Sequence, residues 1–356
     1  MTRREFIEQV GLGAAGVALG GCASAPAVTR AKNERIWGIL LHLGTNMWSD
    51  VRVENRVTEG FFKWGGEDGF ALYSDELRFD EKTFHEAAEH MVARGLNTLI
   101  LDLGEGLYYP SHPELAVKGT WSVRKMREEL KYLRGLGLNV VPKLNFSTSH
   151  DPWLKDYERM VSSQVYYRVC ADLIRDVAET FDGPNLFHLG YDEEDYWHQH
   201  TYNYCVQRQG ELWWHDFNLI SDAVRKTGAR PWIWADYIWK HKDEFVKRMP
   251  KDVLQSNWYY FTLDEKKFPQ EKSEFDFRNA MLHANDELEK GGYDQVPTAM
   301  PNEYFFDFFE YSRKVIPPAR FKGFLNSVWC FTQPHKRDFI LKAIDQVGEA
   351  KARYGA

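Results

Sequence analysis

Two kinds of segment alternate along most of the chain. Apolar runs of strand length occur eight times, at residues 36–44, 96–104, 138–146, 185–191, 230–236, 253–258, 295–300 and 321–329. Segments with apolar residues at three- and four-residue spacing, as in amphipathic helices, lie between them. These segments cover residues 84–94, 123–136, 161–181, 212–226, 275–290, 304–315 and 337–351. The connection at 241–249 is the least regular of the expected helices.

Strand and helix alternation of this kind predicts parallel strands joined by right-handed crossovers. Because eight repeats follow one another without a linker, the pattern predicts a single-domain (β/α)8 barrel, a TIM barrel, over residues 36–356. The alternative is an open doubly wound sheet, which usually has a glycine-rich phosphate turn after its first strand. The Gly44-Thr45-Asn46 sequence that follows the first run is not such a turn.

The N-terminal segment, residues 1–21, is interpreted as an export signal. Arg3 and Arg4 fit a twin-arginine motif, and the Gly/Ala-rich run after them is too short to span a bilayer. The run ends in Leu-Gly-Gly-Cys, which resembles a bacterial lipobox and predicts lipidation of Cys22. We therefore expect a periplasmic or cell-surface lipoprotein, with a flexible tether at 22–35. A plain cleaved signal, or a disordered tail with a chance cysteine, is the alternative.

Charge and cysteine spacing exclude several classes of partner. The chain has 45 Lys and Arg residues against 52 Asp and Glu, a formal net charge of -7, and no basic run that would indicate nucleic-acid binding. Its four cysteines form no metal-ligand spacing. His198 and His200 form an HxH without a matching carboxylate, so a solvent-exposed loop is expected there. The sequence thus predicts no metal and no other cofactor.

Loop lengths indicate which end of the barrel carries the site. The turns from helix to strand are tight, whereas the segments from strand to helix are long, above all residues 45–80. Long loops at the carboxyl ends of the strands form the substrate site in this fold.

Polar residues collect at those carboxyl ends. Side chains alternate along a strand, so residue parity predicts which of them face the barrel axis. The polar candidates found in this way are His42, Asn46, Asp102, Asn145, Asp192, Glu193 and Asp236. A polar barrel mouth is costly to bury, which favours a catalytic or binding role.

Three groups of residues resemble family 20 of the glycoside hydrolases, the β-N-acetylhexosaminidases. Residues 188–193, His-Leu-Gly-Tyr-Asp-Glu, are similar to the family's His-x-Gly-Gly-Asp-Glu signature, with Tyr191 at its second glycine. Residues 140–145, Val-Val-Pro-Lys-Leu-Asn, with His150 after them, resemble the family's Val-Ile-Pro-Glu-Ile-Asp stretch and its following Gly-His. The tryptophans at the ends of the fifth, sixth and eighth runs resemble those that wall the acetamido pocket, and they are Trp234, Trp258 and Trp329.

The resemblance implies a substrate-assisted, retaining hydrolase of glycans that contain N-acetylhexosamine. Glu193 would be the general acid, and Asp192 would hold the substrate acetamide, whose oxygen attacks C1. His42 or Asn46 would take the place of the arginine that grips the sugar hydroxyls in the family. The substrate-binding residues expected in all are Trp234, Trp258, Trp329, Asp236, His42, Asn46, Asp102, Asn145, His150 and Tyr191. The partners expected are an oligosaccharide or polysaccharide and, through the lipid, a membrane.

The acids, the tryptophans and the function each have a simpler alternative interpretation. Asp192 and Glu193 could cap the following helix, since acids are favourable at a helix N-terminus. Glu194 and Asp195 are expected to form a solvated acidic turn. Each tryptophan taken alone could be a core residue. The alternative function is a catalytically weak barrel that only binds glycans at the cell surface.

Overall fold

The computed structural model describes residues 34–50, 69–200 and 202–355. Cys22, the predicted export signal and most of the predicted tether lie outside these residues. Among the helices that the structure describes, none is long and apolar enough to cross a membrane.

Eight parallel strands of the described chain form one sheet with helices between them. The strands are β1 (Ile36–His42), β2 (Thr98–Asp102), β3 (Asn139–Lys143), β4 (Leu186–His188), β5 (Arg230–Trp234), β6 (Leu254–Ser256), β7 (Thr298–Ala299) and β8 (Gly323–Ser327). Their order is β6-β5-β4-β3-β2-β1-β8-β7. Bridges from Gln255 to Gln295 and from Trp258 to Thr298 connect the two ends of this order. The sheet is therefore a nearly closed (β/α)8 barrel, as predicted.

The helices cover the outside of the barrel. They are α1 (Glu81–Ala93), α2 (Val123–Gly135), α3 (Gln164–Thr180), α4 (Tyr196–Gln199), α5 (Glu211–Lys226), α6 (Tyr237–Arg248), α7 (Lys272–Lys290), α8 (Phe305–Val315) and α9 (Arg337–Gly355). Short 3-10 helices lie at Gly104–Gly106, Pro113–Leu115, Pro152–Met160, Glu265–Lys267 and Pro334–Lys336. The side chains of Asp80, Ser122 and Ser163 accept from backbone N–H groups at the starts of α1, α2 and α3. Such caps satisfy donors that a helix leaves unpaired. The uncertain helix of the fifth connection is present as α6.

Successive side chains of β5 alternate between the inside and the outside of the barrel, as residue parity along a strand predicts. Trp232 and Trp234 pack inside the barrel with Leu40 and Ile100. Ile233, which alternates with the two tryptophans, packs in the outer core beneath the helices. Alternation along the strands therefore fills the barrel interior and the layer under the helices at the same time.

The strands are shorter than the apolar runs predict, and β4 is the example that bears on the acid pair. The run 185–191 gives a strand only over Leu186–His188. Gly190 and Tyr191 both have positive φ values, of 73° and 70°, so the extended backbone ends there. The turn they form carries Asp192 and Glu193 over the mouth of the barrel.

Candidate active site

The turn after β4 depends on a glycine. A Cβ atom at Gly190 would lie 2.0 Å from Oδ1 of Asn145, so a larger residue would displace that side chain. The Gly190 N–H donates to Nδ1 of His188 at 3.1 Å. His188 thus supports the turn that carries the acid pair.

Asp192 is buried and held by the loop after β3. Its Oδ1 accepts from Nδ2 of Asn145 at 2.9 Å, and its Oδ2 lies 3.4 Å from Nε2 of His150. The hydroxyl of Ser147 donates to the Asp192 carbonyl. Two neighbouring strand ends therefore fix the carboxylate.

Glu193 points back into the same cluster. Its Oε2 lies 3.1 Å from Nε2 of His150 and 3.2 Å from Nε2 of His198. Its N–H donates to Oδ2 of Asp236 at 3.1 Å. The N-cap of α4 is Asp195, whose side chain accepts from the His198 N–H. The helix-cap interpretation of Asp192 and Glu193 therefore does not describe this turn.

The two histidines determine the charge of Glu193. Burial raises the pKa of its carboxyl, but the charge of His198 and hydrogen bonds from His150 and His198 outweigh burial and hold the pKa well below its usual range. Burial lowers the pKa of His198, yet Glu193 and Asp195 raise it to about 10. At neutral pH the resting site thus holds an ionised Glu193 beside a protonated His198.

Aromatic rings form the opposite wall. Nε1 of Trp258 donates to Oδ1 of Asp236 at 2.7 Å, and the Trp258 ring stacks on Tyr260 with centroids 4.8 Å apart. Nε1 of Trp329 donates to the Tyr260 hydroxyl at 3.1 Å. Trp234 lies deeper, with its ring centroid 6.3 Å from that of Trp329.

Burial and the charges of Asp192 and Glu193 raise the pKa of Asp236 well above its usual range. The Asp236 carboxylate therefore connects the Glu193 backbone to the Trp258 side chain by hydrogen bonds.

Several buried ring nitrogens near this wall lack a hydrogen-bond partner among the described residues. Two of them are Nε2 of His188 and Nε1 of Trp234, whose rings lie 4.4 Å apart. Because Nδ1 of His188 accepts from Gly190, its Nε2 carries the hydrogen, and burial lowers the pKa of this imidazole. A buried N–H without a partner is costly, so these donors suit a water molecule or a substrate oxygen.

Asp102 and His42, which were also expected in the site, lie outside the cluster around Asp192 and Glu193. Asp102 forms a fully buried ion pair with Lys143, and His42 lies 3.5 Å from the same carboxylate. The His42 ring also packs against Trp48 and Trp329, which places it under the aromatic wall. It thus lies at the edge of the site, while Asp102 is part of the polar barrel interior.

Asn46 and Tyr191 are not brought into the cluster. The Asn46 side chain binds the backbone of Ser74 at 2.7 and 2.9 Å and so fastens the loop after β1. The Tyr191 ring is buried against Trp213 and Phe217 of α5, on the helix side of the barrel. Positive φ at Gly190 and Tyr191 interrupts strand alternation, which explains why a residue next to the acids points away from them.

The solvated acidic turn expected at Glu194 and Asp195 is wrong for Glu194. Its side chain is only 7% exposed, and both of its oxygens accept from the guanidinium of Arg208. Its Oε1 also accepts from the N–H of Thr148 at 3.0 Å. The pairing fixes the turn to the loop after β3.

His198 is a site residue that sequence reasoning missed. It was expected in an exposed loop, but its ring is largely buried between Glu193 and Asp195, with an Nδ1 to Oδ1 distance of 2.8 Å to Asp195. The HxH sequence soon after the acid pair was the available signal. Its meaning depends on the α4 turn, which spacing alone does not give.

Comparison with known proteins identifies the architecture. No family model and no curated protein matches the sequence. Solved structures that match include an exo-β-N-acetylglucosaminidase of family 20 from Vibrio harveyi, with a TM-score of 0.57, 12% identity and 90% of this chain covered. The β-N-acetylhexosaminidases from Bacteroides fragilis and Streptomyces coelicolor match with TM-scores of 0.55 and 0.56, each at 13% identity and over 88% of this chain.

The chain has the barrel fold of these family 20 enzymes. It spans 57% of the length of the Vibrio harveyi chain, and 65% and 64% of the other two. Identity this low establishes the fold alone, because one fold supports many different activities.

One group in the site could hold a cation by its position. Donor atoms of His150, Asp192 and Glu193 lie within 4.8 Å of one another. Asn145 donates to Asp192, and His150 and His198 lie at hydrogen-bond distance from Glu193. Both carboxylates thus have partners within the protein.

Proposed function

We propose that the protein is a retaining glycoside hydrolase of N-acetylhexosamine-containing glycans, with Glu193 as the general acid. The observation that carries the proposal is the position of Asp192 and Glu193 on one turn, both beside Nε2 of His150, with Asp236 connecting Glu193 to Trp258. Aromatic rings suit the apolar faces of a pyranose and its acetamido methyl group.

The placement of the two carboxylates favours substrate assistance. Consecutive residues of one turn approach a substrate from one side, so Asp192 is poorly placed to attack C1 from the face opposite Glu193. In the proposed reaction the acetamide oxygen bonds to C1 while the C1–oxygen bond to the leaving group breaks. The Glu193 proton moves to the departing oxygen, and Asp192 accepts from the acetamide N–H. A water molecule then attacks C1, loses its proton to Glu193 and restores the acetamide.

The proton for the first step starts on His198. Glu193 is ionised in the resting site because His198 lies 3.2 Å from its Oε2. Transfer across this contact would leave Glu193 protonated and His198 neutral. Burial by a bound sugar favours that neutral pair, because desolvation disfavours both charges.

An assay with paired substrates tests the proposal. Purified protein would be given an aryl N-acetyl-β-glucosaminide and the matching aryl glucoside with a hydroxyl group at C2, beside a Glu193→Gln variant. We expect turnover of the N-acetylated substrate, little turnover of the other, and a loss of about 10²- to 10⁴-fold in the variant. Equal turnover of both substrates, or a variant as active as the parent, would contradict the mechanism.

A second candidate is a glycan-binding barrel with little activity. The observation that favours it is the lowered pKa of Glu193, because a general acid has to be protonated when substrate is bound. N-acetylated oligosaccharides that bind in titration calorimetry without any turnover would select this candidate.

We also propose export and lipid attachment at Cys22, from the twin-arginine and lipobox-like residues. The test compares membrane fractions of cells that express the parent, Cys22→Ser and a variant with Arg3 and Arg4 both changed to Lys. Loss of membrane association in the cysteine variant, and retention inside the cell in the arginine variant, are expected. A Cys22→Ser protein that stays with the membrane would refute the lipid anchor.

A further inference from the structure

The most exposed large apolar side chains of the described residues lie in one segment after β4. Tyr196, Trp197 and Tyr204 are 63%, 62% and 57% exposed, whereas the next most exposed, Leu212, is 44% exposed. Large apolar side chains exposed side by side commonly mark a binding site, and Tyr196 and Trp197 are neighbours in α4.

The segment presents its rings on a fixed turn. The His200 ring stacks on Trp197 at 26° with centroids 5.1 Å apart. Gln199 is fully buried, and its side chain contacts the hydroxyls of Thr148 and Ser149 at 3.2 Å. The buried amide fastens α4 to the loop after β3, while Tyr196 and Trp197 face solvent.

The same turn touches the proposed acid. His198, between Trp197 and Gln199, lies 3.2 Å from Oε2 of Glu193. The acid's proton goes to the oxygen that joins the sugar in the tryptophan-walled pocket to the next unit. Sugar units beyond that oxygen therefore leave the pocket on the acid's side, next to α4.

We propose that Tyr196 and Trp197 form a platform that binds the sugar units on the leaving-group side of the cleaved bond. This inference rests on the proposed function and adds that the substrate is an oligosaccharide or polysaccharide chain. Stacking of a pyranose face on an indole buries apolar C–H groups and leaves the hydroxyls in water. Because the α4 turn adjoins the proposed acid, we expect the platform to bind a glycan and not a lipid surface.

The test compares two substrates in one set of variants. Trp197→Ala, the ring-keeping Trp197→Phe and the surface control Leu219→Ala would be assayed with an N-acetylated tetrasaccharide and an aryl N-acetylglucosaminide. We expect Trp197→Ala to lose roughly tenfold in kcat/KM for the tetrasaccharide, and at least fivefold more than it loses for the aryl substrate. Trp197→Phe should recover most of this loss, and Leu219→Ala should match the parent.

Binding separates failure of the platform from failure of the proposed activity. In a Glu193→Gln background, calorimetry with the tetrasaccharide should show a roughly tenfold weaker Kd after Trp197→Ala, even if the parent turns over neither substrate. Equal losses for both substrates together with unchanged tetrasaccharide binding would overturn the inference. So would Trp197→Ala lowering binding to anionic phospholipid vesicles while leaving tetrasaccharide binding unchanged, since the rings would then be a membrane contact.

Discussion

Replacement of Arg208 by methionine should destabilise the protein strongly, because it removes the cation from a buried network. Arg208 is only 3% exposed, and its guanidinium donates to both oxygens of Glu194. It also donates to the Phe146 carbonyl at 2.8 Å and to the Tyr191 hydroxyl at 3.2 Å, and it lies 3.7 Å from Asp216. Methionine keeps much of the length and volume while removing every donor.

The expected magnitude follows from the charge left behind. Breaking a buried ion pair by removing one partner costs about 3–5 kcal/mol, because the remaining carboxylate is buried without compensation. The exposed pair between Arg353 and Glu349 offers a matched control, and its removal should cost at most about 0.5 kcal/mol. Adding Glu194→Gln to Arg208→Met should recover part of the loss, since the uncompensated charge is then absent.

Urea unfolding at pH 7, followed by tryptophan fluorescence, measures these differences as shifts in midpoint at constant slope. Activity should fall with stability, because Glu194 fastens the turn that carries Glu193. An Arg208→Met variant that loses less than about 1 kcal/mol, or no more than Arg353→Met, would refute the reasoning.

Two other residues give independent tests. Asn145→Ala should lower kcat on an aryl N-acetylglucosaminide roughly ten- to hundredfold, because a hydrogen bond to a charged group contributes about 1.5–3 kcal/mol; a change of less than twofold would argue against this positioning of Asp192. His198→Asn should reduce the free energy of unfolding most near pH 5–6. The raised pKa of His198 stabilises the fold below its unfolded value of about 6.5, and this stabilisation is lost as the pH rises toward the folded value of about 10. The lowered pKa of Glu193 stabilises the fold only above the unfolded pKa of that carboxyl. Urea unfolding at pH 5.5 and 9.5 checks this, with the exposed His215→Asn as control; a difference that grows with pH would contradict the ion pair.

The barrel could be predicted because the two-residue period of its strands and the three- to four-residue period of its helices can be read within short segments of sequence. Alternation in the fifth strand places Trp232 and Trp234 inside and Ile233 outside, as parity predicts. The acid pair could be found because it directly follows an apolar run. No contact across the barrel is needed for either inference.

The rest of the site depends on geometry that spacing does not encode. Positive φ at Gly190 and Tyr191 ends the alternation, so Tyr191 packs on α5 instead of facing the substrate. Glu194 meets Arg208 across an irregular loop, and His198 reaches Glu193 only because the α4 turn brings it back. These contacts join residues of no fixed spacing, which a single sequence does not reveal.

The role of Glu193 as the proton donor is tested most directly by a leaving-group series. The rates at which the parent and Glu193→Gln release the phenol in the first turnover would be compared on aryl N-acetylglucosaminides whose phenols range from strongly to weakly acidic. Phenol release isolates the first step, because Glu193 also takes the proton of the attacking water in the second step. We predict a variant rate within about tenfold of the parent for dinitrophenol, which departs without protonation, and a loss of about 10²- to 10⁴-fold for unsubstituted phenol. An equal loss across the series, or no loss at all, would show that Glu193 does not donate the proton.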